Sequence, residues 1–151
     1  LSFNLTNTRG LVAMLVAQSA AGGIDAEYTS RKVDALSLAP RFFSQSEQDE
    51  LRGHPPHQRQ RRFLEYWTLK ESFIKAKGMG LSIPLDKFSM RLGDPSIRIE
   101  LHGLADDPAQ WQFTQIELAS GHLLATAINA PAHSPFKISQ REVAPTPPHA
   151  P

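Results

Sequence analysis

Two spacings of apolar residues run through this chain, one of helical period and one of period two, and together they predict its elements. Residues 57–77 hold no Gly or Pro, and Phe63, Trp67, Ile74 and Gly78 fall at the threes and fours of one helix face. Glu71 lies on that face too, four after Trp67 and three before Ile74. A carboxylate in an apolar stripe is costly unless paired, and Lys75, one turn further on, is its expected partner. Ahead of this helix, Ser44 and Glu47 have the spacing of a capping box. They open a helix ending near Gly53, which Pro55-Pro56 separates from the long one. A short helix is expected over 31–39, interrupted by Pro40.

The period-two segments flank the helices. Residues 1–5 alternate apolar and polar, Arg9-Gly10 supplies a turn, and the apolar run Leu11–Ala17 reads as a buried strand. After Gly22-Gly23, strict alternation puts Ile24, Ala26 and Tyr28 on one strand face and Asp25 with Glu27 on the other. Gly78-Met79-Gly80 and Pro84 mark a loop beyond the long helix. Four strands follow, at 88–92, 97–101, 112–118 and 122–129, with turns at Gly93-Asp94-Pro95, Asp106-Asp107-Pro108 and Ser120-Gly121. Strands, then helices, then a meander describe an α+β fold, an antiparallel sheet with a long packed helix. The domain is expected to cover 1–130. Residues 131–151, rich in Pro, His and Ser, read as an extended or disordered tail.

Composition narrows the picture by exclusion. With 151 residues, 40% hydrophobic and 21% charged, the chain has the make-up of one globular domain. It has no cysteine, which rules out a disulfide framework and a thiolate zinc site. A net charge of +1 argues neither for nor against a nucleic-acid surface, and no nucleic-acid partner is expected; no apolar run reaches the roughly 20 residues of a membrane span. Asn4, Asn7 and Arg9 interrupt any signal-peptide pattern, so a cytoplasmic protein is expected. The opening without Met, directly on a strand, fits a fragment of a longer polypeptide. The six histidines show no metal-ligand spacing. Arg59, Arg61 and Arg62 crowd the start of the long helix, where the macrodipole disfavours cations. They read as a solvated face first, and as a dock for an acidic partner second.

The chemistry gathers on few residues. Asp25 and Glu27 project from one strand face, and hard oxygen ligands so placed suit Mg²⁺. Alone, a D-x-E would be a polar edge. With Glu71 on a packed helix it becomes a three-carboxylate cluster, and Lys70 and Lys75 flank it with the positive charge that phosphate transfer needs.

Gly23-Ile-Asp-Ala-Glu27 and Trp67-Thr-Leu-Lys-Glu-Ser-Phe-Ile-Lys75 together resemble the 4′-phosphopantetheinyl transferases of the surfactin-synthetase-activating type. Phe3-Asn-Leu-Thr-Asn-Thr8, Arg41-Phe-Phe-Ser-Gln-Ser-Glu47 and Gly78-Met-Gly-Leu-Ser-Ile-Pro84 match in kind and order, so the resemblance spans residues 3–129. It implies transfer of the phosphopantetheine arm of coenzyme A to a serine of an acyl or peptidyl carrier protein, releasing 3′,5′-ADP. By the same resemblance Asp25, Glu27 and Glu71 hold Mg²⁺, Glu71 accepts the serine proton, Lys75 assists the departing phosphate and Lys70 neutralises charge nearby. Lys70 and Lys75 also contact the coenzyme in that reading. Thr6 and Asn7 stand where many relatives have Ser-His against its 3′-phosphate, and Asn donates a hydrogen bond without carrying charge. Full-length members are pseudo-dimers with the coenzyme between two halves, and only the second half matches here. The alternative is a non-catalytic module that binds a carrier protein or coenzyme A. Either the first half or a second copy of the chain is expected to cover the exposed side.

Overall fold

The computed structural model describes residues 1–143 apart from 19, 79, 94–95, 132 and 135, and the side chain of Leu81 is outside the description. Part of the 131–151 tail, with His149, therefore lies outside the described residues, as do Asp94-Pro95 of one expected turn and Met79 of the loop. Residues 136–143 are in neither helix nor strand.

The first two strands, β1 (Ser2–Thr8) and β2 (Leu11–Ala17), form an antiparallel hairpin in which Phe3 faces Val16 and Leu5 faces Met14. β3 (Gly22–Tyr28) leads to three helices: α1 (Ala35–Phe42), α2 (Gln45–Gly53) and α3 (Pro56–Lys77). Then come β4 (Phe88–Leu92), β5 (Ile97–Leu101), β6 (Trp111–Glu117) and β7 (His122–Asn129). The strands form three antiparallel pieces, β1–β2, β3–β7–β6 and β4–β5, where the sequence suggests one sheet.

Two expectations need correction. The first helix begins at Ala35, capped by Asp34, whose side chain accepts the Ser37 amide at 3.2 Å. It passes through Pro40 and ends at Phe42. Pro40 lies in its last turn and so costs one ladder bond without stopping the chain. The second concerns β2, which is not buried. Its burial alternates, and Val12, Met14 and Val16 join Phe3 and Leu5 on an exposed outer face, Phe3 being 76% exposed. A two-stranded ribbon has only one face to lay on the domain, so an apolar residue at every position leaves half of them outside.

The core lies between α3 and the β3–β7–β6 sheet. Phe73 meets Trp111 edge-on at 4.8 Å and Phe88 at 5.0 Å, with Leu123, Ala125 and Ala127 of β7 beneath. Contact is closest at Gly23. A Cβ there would fall 2.0 Å from the Ser72 carbonyl oxygen and 2.5 Å from the Ala76 amide nitrogen, so only glycine lets β3 touch the helix backbone. At its far end α3 stops at Gly78, which takes φ +64° as the left-handed cap.

Candidate active site

Period two along β3 puts Gly23, Asp25 and Glu27 on the face that α3 covers. Where the strand leaves the helix, Lys75 Nζ donates to Asp25 Oδ1 at 2.6 Å and to the Ile24 carbonyl at 3.1 Å. Lys75 thus turns to Asp25, not to Glu71 as its i,i+4 spacing suggests. Asp25 is only 7% exposed, and a buried carboxylate needs a cation far more than the half-buried Glu71 does.

The hairpin supplies the third side. Thr6 Oγ1 donates to Asp25 Oδ1 at 3.2 Å and lies 3.3 Å from Lys75 Nζ. Thr8 Oγ1 donates to Glu27 Oε2 at 3.5 Å, and Asn4 Oδ1 accepts the Ile24 amide at 2.9 Å. Glu27 is also paired with Arg31.

Burial is the main reason all three carboxyls bind their protons tightly. Asp25 is raised above its ordinary 3.8 against the pull of Lys75, and Glu27 and Glu71 are raised above 4.5. Mutual repulsion adds to this: the Asp25 charge raises both glutamates, and Glu27 also raises Glu71. Among the described residues, no three acidic or histidine side chains stand close enough to cage an ion. Yet Asp25 Oδ2 is buried with no hydrogen-bond partner among the described residues. An orphaned carboxylate oxygen, on an aspartate whose charge is felt by two further carboxylates, is the oxygen-only donor chemistry that fits a hard divalent cation.

Lys70 is not brought to this cluster. It is fully buried on another side of α3, 2.8 Å from Glu47 Oε2, and donates to the carbonyls of Leu85 and Phe88 at 2.6 Å each. Desolvation lowers its pKa even though Glu47 opposes the shift. Its sequence position beside Glu71 suggests the site, but one residue along a helix is about 100° of rotation. Thr6 and Asn7 likewise part company. Thr6 is buried against Asp25 and Lys75, while Asn7 lies exposed on the outer face of β1.

The residues missed from sequence are Asn4, Thr8 and Glu47. Small polar residues at every second place in β1 were a legible signal for the first two. The spacing of Glu47 points to a capping role, and it does complete the box with Ser44. The arginine cluster is tied within the chain. Arg61 pairs with Glu65 at 2.9 Å and Glu117 at 2.7 Å, Arg62 with Glu65 at 3.2 Å, and Arg59 donates to the His54 carbonyl at 2.8 Å. That favours the surface reading over a docking one.

No helix of the described residues is long and apolar enough to cross a membrane. The chain is 46% identical over 80 residues to the 4′-phosphopantetheinyl transferase Sfp of Bacillus subtilis (strain 168), covering 52% of this chain and 35% of that protein. It is 30% identical over 142 residues to a phosphopantetheinyl transferase of Thraustochytrium sp., covering 84% of this chain and 48% of that one. The chain thus spans a third to a half of the length of these curated relatives. Its fold is similar to that of the crystal structure of Thermotoga maritima holo-[acyl-carrier-protein] synthase, with a TM-score of 0.59 at 18% identity over 74% of this chain and 64% of that one. The family model of the 4′-phosphopantetheinyl transferase superfamily matches residues 21–127, a stretch that holds Asp25, Glu27, Glu71 and Lys75, and the chain belongs to that superfamily.

Proposed function

We propose that this chain carries the catalytic side of a 4′-phosphopantetheinyl transferase, moving the phosphopantetheine group of coenzyme A onto a serine of an acyl or peptidyl carrier protein. The observation behind the reading is Asp25, which is bonded to the Lys75 ammonium through Oδ1, has no partner on Oδ2 among the described residues, and raises the proton affinity of Glu27 and Glu71. Asp25, Glu27 and Glu71 would hold Mg²⁺, which takes one or two protein carboxylates together with substrate phosphates. When bound, the ion neutralises charge on the coenzyme A diphosphate. Glu71, its proton affinity raised by burial, accepts the serine hydroxyl proton as that oxygen bonds to phosphorus. The bond from phosphorus to 3′,5′-ADP breaks, and Lys75 Nζ donates to the phosphate oxygen that leaves. Phosphoryl-type transfer needs mainly positioning and charge neutralisation, which this set of groups offers. Asn7, exposed on β1, is left to bind the 3′-phosphate of coenzyme A by hydrogen bonding alone.

Residues 1–130 form the catalytic domain in this proposal, with 131–151 a Pro-rich extension, and the use of coenzyme A sets the reaction in the cytoplasm. The outer hairpin face, with Phe3, Leu5, Val12, Met14 and Val16 exposed, is the surface that a first half or a second copy covers.

The test is incubation with coenzyme A and an apo carrier protein, with and without Mg²⁺. The carrier gains the mass of one phosphopantetheine only when Mg²⁺ is present. A chain that binds coenzyme A or the carrier and transfers nothing supports the second reading, a non-catalytic module.

A further inference from the structure

The hairpin and β3 belong to different sheets, so no backbone ladder joins them. Side chains do the joining. Asn4, Thr6 and Thr8, the alternate residues of β1's inner face, meet in order the Ile24 amide, Asp25 Oδ1 and Glu27 Oε2. We propose that β1 is a positioning strand, whose Thr6 and Thr8 hydroxyls aim the Asp25 and Glu27 carboxylates so that Asp25 Oδ2 faces the cation. The inference rests on the metal reading above.

The terminal torsion of a carboxylate is broad and two-fold, so an Asp side chain does not choose which oxygen it presents. Two donors decide it here. Thr6 Oγ1 and Lys75 Nζ both bond to Oδ1, at 3.2 and 2.6 Å, and Oδ2 is left without a partner. Thr6 has a single hydroxyl proton. Once that is given to Asp25, only its lone pairs remain, and one of them accepts from Lys75 at 3.3 Å. Its χ1 is stiff because the residue is β-branched, so the strand itself sets the direction of the hydroxyl. Asn4 fixes the register by holding the Ile24 amide one residue before Asp25. Thr8 does for Glu27, over a longer 3.5 Å bond, what Thr6 does for Asp25.

Partners of this kind, standing behind the ligands, typically change metal affinity by about 10- to 100-fold when removed. The experiment titrates Mn²⁺, followed by its electron paramagnetic resonance signal, into the native chain and into Thr6→Val, Thr6→Ser and Thr8→Val, with a thermal melt of each. Thr6→Val keeps the shape and loses the hydroxyl, so its Mn²⁺ affinity falls by about 10- to 100-fold. Thr6→Ser restores most of the affinity, and Thr8→Val loses less than Thr6→Val. A folded Thr6→Val that binds Mn²⁺ as tightly as the native chain overturns the proposal, and so does a Thr6→Ser no better than Thr6→Val. Should Thr6→Val not fold, Thr8→Val at its partly exposed position decides: weakened binding supports positioning and unchanged binding rejects it. A native chain that takes up no Mn²⁺ at all is a different result, and it removes the metal reading itself together with this inference.

Discussion

Five residues apart on α3, Lys70 and Lys75 each end in a short bond to a carboxylate, 2.8 Å to Glu47 and 2.6 Å to Asp25. Their surroundings make them different objects. All three protons of Lys70 are taken, by Glu47 and by the carbonyls of Leu85 and Phe88. Glu47 is used up as well, accepting the amides of Ser44 at 2.9 Å and Met90 at 2.7 Å. The pair therefore joins α2, α3 and β4 and has no capacity left for a ligand. Lys75 also has three acceptors, in Asp25, the Ile24 carbonyl and Thr6, but it is 29% exposed, and Asp25 Oδ2 has no partner among the described residues. The unpartnered Asp25 oxygen is what sets this pair apart as the candidate site. The residue types alone do not tell the two apart.

The strongest way to break this contrast is Lys75→Ala. Transfer of phosphopantetheine to a carrier protein is expected to fall by about 10²- to 10⁴-fold, as for loss of a proton donor. The thermal melt falls less than for Lys70→Ala, because Asp25, though it loses its cation, keeps the Thr6 hydroxyl and has a raised affinity for a neutralising proton. A variant that transfers at the native rate, or that simply unfolds, ends the comparison.

Lys70→Ala should do the reverse. It leaves the Glu47 carboxylate buried and alone, at a cost of about 3–5 kcal/mol in urea unfolding. The double variant Lys70→Met with Glu47→Gln sharpens the point. It removes both charges and keeps an acceptor for one of the two amides, those of Ser44 and Met90, which Glu47 takes on different oxygens, so it still costs less than Lys70→Ala alone. Equal losses in the two would show that the charges themselves hold nothing together.

The smallest effect is on stability against pH. Asp25, Glu27 and Glu71 have folded pKa values raised above the ordinary 3.8, 4.5 and 4.5. Between the unfolded and folded values the native chain binds more protons than the unfolded one. Their stabilising contribution is thus full below the ordinary values and is lost as pH rises through the folded ones. Glu71→Gln should flatten that slope in metal-free melts. With Mg²⁺ bound, the native chain is expected to gain more stability near neutral pH than in the acid range. A slope that Glu71→Gln leaves untouched would separate Glu71 from the cluster.

Most strand limits were legible, because turns and alternation bracket them: Leu11–Ala17, Phe88–Leu92, Ile97–Leu101 and His122–Asn129 stand as read. What alternation cannot report is a second face. In β2 every residue is apolar, so the pattern gives no hint of which half lies outside. The candidate site divides in the same way. Asp25 and Glu27 face β1 together as their alternation suggests, but the partner of Lys75 lies on β3, fifty residues away, and local spacing points to Glu71 instead. Lys70 could not be told from Lys75 without Glu47, whose capping role hid its second one. Pro40 read as a stop because its missing amide is visible in sequence, while the helix turn that tolerates it is not.

Gly23 has a mechanical consequence. With no side chain between strand and helix, the Ser72–Ala76 turn rests directly on β3, and neither can slide along the other without a collision of backbones. Asp25 and Glu27, just beyond on the strand, and Glu71 and Lys75, on the adjoining turns of the helix, therefore move as one fixed jaw. The opposing jaw is the hairpin, a thin ribbon attached by side chains and bare on its outside. Adjustment of the gap, whether to admit a ligand or to follow a neighbour pressing on Phe3 and Met14, has only that ribbon to draw on.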